Sequence, residues 1–561
     1  MAIDMTPEQR QMGMENYARV ADGMTRRRFL KGVAAAAGAT AVVTPAVYFG
    51  YQALNGSPVK TALIGGGDEG GVLVGEHNPE FLEFVAVADL RPFNLDIRSD
   101  GKHAGRIFDG DPRAIKIRKG FRKVYGSKAN GIKPYRDYEQ MLKEHPEVEA
   151  VVIATPLVTH APIAIKCMEI GKARGKPIHV MCEKLMARTV GDCKKMIKTA
   201  RDTGSILSIG HQRHYSLLYA NANDIVESGV LGDIRHIRAL WHRNNSWPWH
   251  EDKNAPALAN IPAARPQLRD SWCQPIYEMD YNELKDKVKN YGFESVEELI
   301  RWRLYDRTGG GLMAELGSHQ MDACSIFLGK VHPLSVQGVG GKFFYGPGKN
   351  DRESDDSIFV TFEFPGRNHP QGAGKGADKN DIVVVTYTSV NTNGFEPYGE
   401  TLVGSRGTLI TDKEQHVMLF PENDSSIKSP PRGTAVSVAT SAAGKPVLDS
   451  GGTGYSGPSA AAGPAAAPAG SSAEPVSRGY REELEDFAFC VRQWNPKTGY
   501  SKASDGKYLQ RLPRCHGKVA MADAIIALTA NIAMKNRQRI EFKHEWFDDM
   551  KDDVPESMAK S

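Results

Sequence analysis

Short apolar runs alternate with amphipathic helical patterns over residues 58–213 of this chain. Apolar runs bounded by turn residues are typical of buried strands, and a spacing of three to four residues is typical of helices. We predict strands at Val59–Ile64, Phe84–Ala88, Ala150–Ala154, Ile178–Met181 and Ile206–Ile209, with helices between them at Tyr138–Lys143, Pro162–Ile170 and Val190–Thr203. This alternation predicts an α/β domain whose doubly wound parallel sheet is covered by helices on both faces.

Beyond Arg213 the pattern changes, and residues 214–548 are predicted to form a second, α+β domain. Runs of β-branched and aromatic residues joined by turns predict a mostly antiparallel, open sheet. Its strands are expected at Ile234–Trp241, Ser357–Phe364, Ile382–Val390 and Thr408–Ile410. Helical patterns such as Leu312–Leu328 should cover one face of the sheet, and a last helix is predicted at Lys518–Lys535.

Two stretches of the second half are not expected to pack a core. Residues 423–477 are dominated by Ser, Ala, Gly and Pro and are interpreted as a loosely draped, low-complexity insertion. Residues 549–561 are interpreted as a tail.

The composition argues against several classes of partner and site. The 561 residues carry a formal net charge of +4, which is too small an excess to indicate nucleic-acid binding. The basic stretch Arg98–Lys133 is interpreted as a solvated loop and helix face. The seven cysteines lack the close spacing of a thiol redox motif or a zinc site, so neither a disulfide framework nor a metal is predicted.

Residues 1–57 are predicted to be a tail that carries an export signal. Residues 25–31 read Thr-Arg-Arg-Arg-Phe-Leu-Lys, and an uncharged, Ala-rich run extends from Gly32 to Val59. This order resembles a twin-arginine signal, with the twin-arginine machinery as partner and a periplasmic or outward-facing anchored location. A plain membrane span and a chance Ala-rich helix are the alternatives, because the run is long enough to cross a bilayer. Whether the signal is cleaved, for example near Ala46, stays open.

A glycine turn follows the first predicted strand. Gly65, Gly67 and Gly70 form G-x-G-x-x-G, and the second strand ends at Asp89. Gly65 would make the tight turn, Gly67 would let the backbone approach a pyrophosphate, and Gly70 would let helix and strand pack closely. The Asp89 carboxylate can accept hydrogen bonds from a ribose diol and would repel a 2′-phosphate. The motif therefore predicts NAD as cofactor, while Arg91 nearby keeps NADP open.

Further motifs lie at the carboxyl ends of later strands, where ligands bind in open α/β sheets. Three such segments are Ala154–His160, Cys182–Leu185 and Gly210–Arg213, and a glycine-rich stretch leads into a helix at Gly309–Asp322. In this order they resemble the Gfo/Idh/MocA family, which includes glucose–fructose oxidoreductase and inositol dehydrogenase. The resemblance covers residues 58–423 and resumes over about 480–543.

The resemblance implies roles for particular residues. The family's Glu-Lys-Pro motif falls on Glu183, Lys184 and Leu185, with Leu in place of Pro. It implies that Lys184 lies beside the nicotinamide and the reacting oxygen, that Glu183 lies near the cofactor, and that His319 is the acid/base residue. Glu315 stands where many members have Asp and is predicted to be catalytic, although its reach to the substrate or to His319 differs by one methylene.

The remaining site predictions come from position along the chain. Thr155, Pro156, His160 and Gln212 are expected to line the cofactor. Arg213, Asp322 and Trp247 are expected to face the substrate, Trp247 because five of the seven tryptophans fall between Trp241 and Trp302 and aromatic rings stack on sugars. At helical spacing, Glu315, His319 and Asp322 should project together into the cleft.

These residue types suit the oxidation of a secondary alcohol. Histidine can take the hydroxyl proton, and a lysine ammonium can hold the oxygen as charge develops. We therefore expect an exported enzyme that exchanges hydride between tightly bound NAD(P) and a sugar or polyol, and family resemblance implies a homo-oligomer. Two alternatives stay open: a glycosidase or lyase that oxidises its substrate transiently, with Tyr305 or Tyr398 as an extra base, and a non-catalytic cofactor-binding protein.

Overall fold

A computed structural model of the chain describes residues 5–33, 45–95, 105–111, 114–243, 247–248, 256–265, 268–269, 272–346, 352–422, 437–440, 446–449 and 477–559. The helices are α1 Pro7–Val33, α2 Pro45–Phe49, α3 Asp68–Glu76, α4 Pro92–Leu95, α5 Arg106–Asp109, α6 Phe121–Tyr125, α7 Tyr138–Glu144, α8 His160–Ala173, α9 Val190–Thr203, α10 Leu217–Glu227, α11 Glu278–Leu284, α12 Val296–Ile300, α13 Ser318–Phe327, α14 Tyr480–Gln493 and α15 Gly517–Asn536. The strands are β1 Val59–Ile64, β2 Leu82–Ala88, β3 Lys133–Tyr135, β4 Ala150–Ile153, β5 His179–Glu183, β6 Leu207–Gly210, β7 Ile234–His242, β8 Trp247–Pro248, β9 Leu268–Arg269, β10 Ser335–Gly341, β11 Ser357–Pro365, β12 Ile382–Val390, β13 Tyr398–Gly404, β14 Gly407–Asp412, β15 His416–Pro421, β16 Ser437–Thr440, β17 Pro446–Asp449 and β18 Ile540–Glu541.

The first domain is a six-stranded sheet, as the alternation of runs predicted. Its strands lie in the order β3-β2-β1-β4-β5-β6, and every neighbouring pair is parallel. The order reverses between β1 and β4, so the loops that leave these two strands open a crevice at the carboxyl edge. The central strand β4 is buried along its whole length, which explains its unbroken apolar run. The short edge strand β3 escaped prediction because it has only three residues.

The second domain contains an eight-stranded sheet in the order β15-β14-β13-β7-β12-β11-β10-β18. Its neighbours are antiparallel except β7 and β12, which are parallel. Strand β11 buries Val360, Phe362 and Phe364 on the face that helices cover, while Phe359 stays 45% exposed. The fold therefore confirms the mostly antiparallel, open sheet.

The end of the chain returns to the first domain. Helix α14 packs against α3, β1, β2 and β6, and α15 packs against α9, β6, β10 and α13. Within the described ranges, α15 is the helix long and apolar enough to cross a membrane by length and composition, and 72% of its most apolar window is buried inside the protein. The boundary drawn at residue 213 thus separates the sheets, but helices from the end of the chain bridge both.

The N-terminal segment packs on the protein both before and within its Ala-rich run. In α1, Asn16 donates to the Leu419 carbonyl at 3.2 Å and Arg10 pairs with Asp412 at 2.6 Å, so the helix covers the edge strand β15. In the second half of the run, Phe49 and Tyr51 are buried, and Tyr51 donates to Glu485. The prediction of a tail over residues 1–57 is therefore wrong for these stretches. Residues 34–44 lie outside the described residues.

Most of the low-complexity insertion also lies outside the described residues. Within it, β16 and β17 pair as an antiparallel hairpin. Eight residues of the predicted loosely draped insertion therefore form regular strands. Of the predicted tail at 549–561, Pro555 is buried and Glu556 accepts from the Val190 amide, so this segment packs on α9 and is not free.

Candidate active site

The glycine turn after β1 has the geometry that its spacing predicts. Gly65 has φ +101°, and a Cβ there would stand 2.3 Å from the Ala154 carbonyl oxygen. A Cβ on Gly70 would stand 2.0 Å from the Gly65 oxygen, so neither position admits a side chain. Gly67, which precedes the first turn of α3, would meet nothing within 4 Å. The helix amides therefore face open space, as an anion site requires.

Asp89 holds this turn together. Its carboxylate accepts from the Gly66 amide at 2.7 Å, from Asn94 at 2.9 Å and from the Arg91 amide at 2.7 Å. Burial, partly offset by these donors, raises the pKa of Asp89. Arg91, which kept NADP open, turns its guanidinium to the buried Asp280 at 2.8 Å. Because the Arg91 guanidinium is paired with a protein carboxylate, it is not free to pair with a 2′-phosphate. This ion pair therefore favours NAD over NADP.

A cavity of about 1700 Å³ extends from the glycine turn to the interface of the two domains. Common ligand pockets measure roughly 300–1,000 Å³, so this cavity has room for a dinucleotide and a second ligand. The predicted residues that line it are Gly65, Gly67, Asp89, Thr155, Pro156, His160, Glu183, Lys184, Gln212, Glu315 and His319. The chain thus brings both halves of the predicted site together. The side chain of Trp247 lies outside the described residues.

Lys184 immediately follows the buried strand β5. Its ammonium lines the cavity and donates to the backbone carbonyl of Glu315 at 2.8 Å, which connects the two domains. The peptide bond to Leu185, the residue that replaces the expected proline, is cis. An ammonium held in this way can donate its remaining hydrogens to a ligand oxygen.

Glu183 lies in the wall of the same cavity. It is 6% exposed, and its Oε2 accepts from the Lys184 amide at 3.1 Å. Burial, and next the neighbouring Glu69, raise the pKa of Glu183 well above 4.5. The protonated form is therefore favoured, so Glu183 offers a neutral donor and acceptor beside Lys184.

His319 lies in the first turns of α13 and faces the cavity. Its imidazole packs against Trp241 with the ring centroids 5.5 Å apart, and the buried Nδ1 has no hydrogen-bond partner in the part of the chain that the structure describes. Burial, followed by the cationic Lys184 and Arg213, lowers the pKa of His319 well below 6.5. The ring is thus kept neutral and can accept a proton.

Glu315 is bound as a carboxylate by another residue. Its Oε2 accepts from Arg303 Nε at 2.5 Å. Burial acts to raise the pKa of Glu315, yet Arg303, Lys184 and Arg243 outweigh it and bring the pKa to about 2. Because the ion pair with Arg303 engages this carboxylate, Glu315 positions Arg303 in place of the catalytic role predicted for it.

Arg213 does not reach the substrate space. The guanidinium is 1% exposed, donates to Glu414 and Glu400 at 2.8 Å, and also bonds the His319 carbonyl at 2.7 Å. The prediction that it faces the substrate is wrong, because two carboxylates engage it first. It instead fixes the backbone of the turn that carries His319.

Asp322 also points away from the cleft. It is 1% exposed and accepts from the Lys330 ammonium at 2.7 Å, with His214 Nε2 at 2.7 Å. The helix predicted at Leu312–Leu328 begins with a π-helical turn, Met313–Gly317; Glu315 and His319 still line the cavity, whereas Asp322 does not. The expectation that Asp322 binds substrate is therefore wrong.

The surroundings of Asp322 contain potential metal ligands that the cysteine spacing gave no reason to expect. Two buried trios, His214-Cys515-Asp523 and His211-Asp322-Asp523, each bring their donor atoms within 4.8 Å of one another. The Lys330 ammonium lies 4.0 Å from Asp523 as well as bonding Asp322. It supplies a positive charge where a metal ion would supply one.

His160 connects the loop after β4 to the turn after β5. Its Nδ1 lies 2.8 Å from the Leu185 carbonyl oxygen and its Nε2 2.9 Å from the Thr155 oxygen. Both nitrogens are thus occupied by backbone, although an edge of the ring lines the cavity. His160 therefore positions Thr155 and Lys184 and contributes little polar contact of its own.

Comparison with known proteins adds to this geometry. A profile described as "Oxidoreductase family, NAD-binding Rossmann fold" matches residues 107–211, and one described as "Oxidoreductase family, C-terminal alpha/beta domain" matches residues 286–512. Both are profiles of the Gfo/Idh/MocA family, and together they cover more than half of the chain. The chain belongs to the Gfo/Idh/MocA oxidoreductase family.

Curated relatives within this family match only part of their length. A 2,7-anhydro-N-acetylneuraminate hydratase of Escherichia coli is 25% identical over 220 residues, which is 39% of this chain and 43% of that protein. An inositol 2-dehydrogenase of Salmonella typhimurium is 31% identical over 124 residues, 22% of this chain and 35% of that protein. A solved levoglucosan dehydrogenase in complex with NADH and levoglucosan is 14% identical, with a TM-score of 0.49 over 87% of this chain and all of that one.

The structure of this Gfo/Idh/MocA protein also reveals site residues that the sequence reasoning missed. Arg106 and Arg118, from the basic stretch interpreted as solvated, line the cavity beside the glycine turn and pair with Asp68. Arg243, Trp241, Trp272, Trp302, Arg303, Tyr398 and Arg478 line the substrate side. The signal that could have found Arg243 is its position directly after a strand end, where β7 stops at His242.

The residues present fit a nicotinamide dinucleotide. The open space at Gly67 is where a diphosphate would meet the amides of α3, and the Asp89 carboxylate is available to a ribose. Lys184, Glu183 and His319 line the same cavity. An NAD-binding fold of this family is thus combined with a proton acceptor and a cation in one cavity.

Proposed function

We propose that this chain is an NAD-dependent oxidoreductase that acts on a hydroxyl or carbonyl group of a sugar or polyol. The observation that carries the proposal is that Lys184 and His319, contributed by different domains, line the same cavity as the glycine turn and Asp89. The inositol dehydrogenase among the relatives supports an alcohol as substrate. The aromatic walls formed by Trp241 and Trp302 support a ring-shaped one.

In the proposed reaction the protein handles the proton and the oxygen. Bound NAD supplies the hydride acceptor. The neutral imidazole of His319 takes the hydroxyl proton, and the Lys184 ammonium donates to the oxygen and stabilises its developing charge. Glu315 and Arg303 hold this wall in place through their ion pair.

Asp89→Asn should relax the preference for NAD. The substitution removes a charge-assisted acceptor for the ribose and the repulsion of a 2′-phosphate, while an amide of the same shape can still accept from the Gly66 amide. Hydrogen bonds to charged groups contribute about 1.5–3 kcal/mol, so we expect the ratio of kcat/KM for NAD over NADP to fall by roughly 10- to 100-fold. Asp202→Asn, on the outside of α9, is the control. An unchanged ratio would show that Asp89 does not contact the ribose.

A redox-neutral reaction through transient oxidation is the second candidate. The hydratase among the relatives favours it, as does Tyr398, which lines the cavity and stacks on Trp241 with the ring centroids 4.7 Å apart. The Tyr398 hydroxyl donates to the Lys413 carbonyl at 3.0 Å, so it would have to leave that bond to act as a base. Tyr305 is not among the residues that line the cavity.

Two measurements test the proposal and separate the candidates. The absorbance of gently purified protein should show the reduced-cofactor band after incubation with a sugar substrate, and cofactor that survives gel filtration would establish tight binding. Release of phenol from an aryl glycoside without net NADH would favour the redox-neutral reaction. Bound cofactor without turnover on a broad panel of sugars and glycosides would refute both and leave a binding protein.

We further propose export by the twin-arginine route, which would explain an exported protein whose seven cysteines are all free and buried. Because that route carries folded proteins, the cofactor could be loaded beforehand. In a bacterial host that has the twin-arginine machinery, replacing Arg26 and Arg27 together by Lys should abolish the periplasmic fraction seen on immunoblots. Arg28→Lys is the matched control and should retain it. Equal export of both variants would point to another route.

A homo-oligomer is the remaining proposal. The open face of the eight-stranded sheet exposes Val339, Phe359, Val384 and Val403 by 37–61%, which is costly in water unless another surface covers it. A second copy of the chain on this face should appear in light scattering as a mass of at least twice 61.5 kDa.

A further inference from the structure

Arg243 is a cation in the cavity wall on which the Glu315 carboxylate, itself ion-paired with Arg303, acts through space. It follows β7, and its backbone amide is fixed by the Val390 carbonyl at 2.8 Å. Its guanidinium lies over the Trp241 ring, 5.2 Å from the centroid, and lines the cavity. Across the described ranges, no carboxylate forms a hydrogen bond or ion pair with this group. Burial lowers the pKa of Arg243, which reflects the cost of a desolvated charge.

Most other arginines that line the cavity have carboxylate partners: Arg303 binds Glu315, Arg91 binds Asp280, and Arg106 and Arg118 bind Asp68. Among the described residues, Arg136 and Arg478 are the exceptions besides Arg243, and neither covers the ring beside His319. A buried guanidinium is stable when a carboxylate or phosphate meets its planar fork. Among the described residues no carboxylate meets the Arg243 guanidinium in this way, so a ligand can supply the anion that pairs with it.

The position of Arg243 identifies which ligand. The Trp241 ring that Arg243 covers also contacts two other rings. Its centroid lies 5.5 Å from that of His319 and 4.7 Å from that of Tyr398. Arg243 thus lies at the substrate end of the cavity, whereas the diphosphate of a dinucleotide belongs at the amides of α3. The cofactor's phosphates do not account for it.

The charges around His319 also favour an acidic ligand. Lys184, Arg303 and Arg243 are cations, and their fields hold the Glu315 carboxylate ionised. Glu414 also lines the cavity, but its carboxylate is paired with Arg213. Glu183 is driven toward its neutral form by burial and by Glu69. This end of the cavity therefore carries surplus positive charge, which attracts an anion and disfavours a neutral molecule.

We propose that Arg243 recognises an acidic group on the substrate, so that the preferred substrates are sugar acids or sugar phosphates and not neutral sugars. This inference rests on the proposed function, because that function identifies the cavity as a substrate site. Its test is independent of turnover, because binding can be measured directly. Arg243 is a specificity residue here: it holds the acidic group at the end of the cavity where Trp241 packs against His319.

Matched sugars test the proposal on the full-length protein with NAD present. Glucose, glucuronate and glucose 6-phosphate, with the corresponding galactose and mannose series, are titrated while tryptophan fluorescence reports binding and the NADH band reports turnover. At least one acidic member should bind roughly 10- to 100-fold more tightly than its neutral counterpart. The carboxylate and phosphate arms show which acidic group the site takes.

Two variants, Arg243→Gln and Arg243→Lys, provide the second part of the test, in which the same sugars are titrated. Gln should bring the ratio of acidic to neutral affinity close to one, and Lys, which keeps the charge but loses the fork, should leave an intermediate ratio. Arg238→Gln removes an arginine from the same strand, where it pairs with Glu396 outside the cavity, and should preserve the preference. A panel in which no acidic member outbinds its neutral counterpart overturns the inference, as does a preference that survives in Arg243→Gln. Binding with this preference but without turnover would instead refute the proposed oxidoreductase activity alone.

Discussion

Lys184→Met is expected to lower kcat by about 10²- to 10³-fold, the cost typical of removing a donor that stabilises developing charge on oxygen. Methionine keeps the length and apolar stem of the side chain, so the cavity should retain its shape. The bond from the ammonium to the Glu315 carbonyl is lost as well, which loosens the junction of the two domains. The glycine turn and Asp89 are untouched, so the affinity for NADH should change by only a few-fold.

Steady-state kinetics and a fluorescence titration with NADH check this expectation together. Lys198→Met, in an exposed ion pair with Asp202 on α9, is the control and should behave as the unmodified protein. A variant at Lys184 that keeps more than a tenth of the normal kcat would show that the ammonium does not act on the reacting oxygen. Loss of NADH binding in step with kcat would instead assign Lys184 to cofactor binding.

His319→Asn is expected to lower kcat/KM by about 10²- to 10⁴-fold, the usual contribution of a positioned general base. Asparagine is similar in size and polar, so Trp241 should keep its packing and the fold its stability. His416→Asn, on the exposed edge of β15, is the matched control. Activity within a few-fold of normal would remove His319 from the chemistry.

The pH profile gives a second readout of His319. Because its pKa is lowered well below 6.5, the imidazole is already deprotonated at neutral pH and stays so as the pH falls through 6.5. A base is active above its pKa, so kcat/KM should remain flat from about pH 8 to about pH 6 and decline only below that. An acid limb centred near pH 6.5 would contradict the burial of this ring.

Local sequence patterns were sufficient to predict a feature wherever the conformation of the backbone decides which residues can stand there. Helix α9 begins and ends at the residues that the spacing predicts, because Thr189 caps its first turn and Gly204, at φ +67°, ends it. The glycine turn was predictable for the same reason, since Gly65 and Gly70 leave no room for a Cβ. The order of strand-end motifs was sufficient to place Lys184 and His319 in one site.

Partner choice among charged residues could not be predicted in this way. Arg213 and Glu400 are 187 residues apart, and nothing in their local sequence indicates that they meet. Glu315 was expected to reach the substrate, but Arg303, twelve residues earlier, binds its carboxylate. Asp322 had the right spacing for the cleft, but Lys330 and His214 bind its carboxylate away from the cavity.

The sequence by itself determined the two sheets and the glycine turn and pointed to His319 as the proton acceptor that we propose, because periodicity, φ angles and strand ends are properties of neighbouring residues. Only the tertiary structure decided which charges are neutralised by the protein and which remain for a ligand, since an ion pair depends on distance between side chains and not on their separation along the chain. By that criterion Arg213 and Asp322 support the fold, and Arg243 faces the cavity.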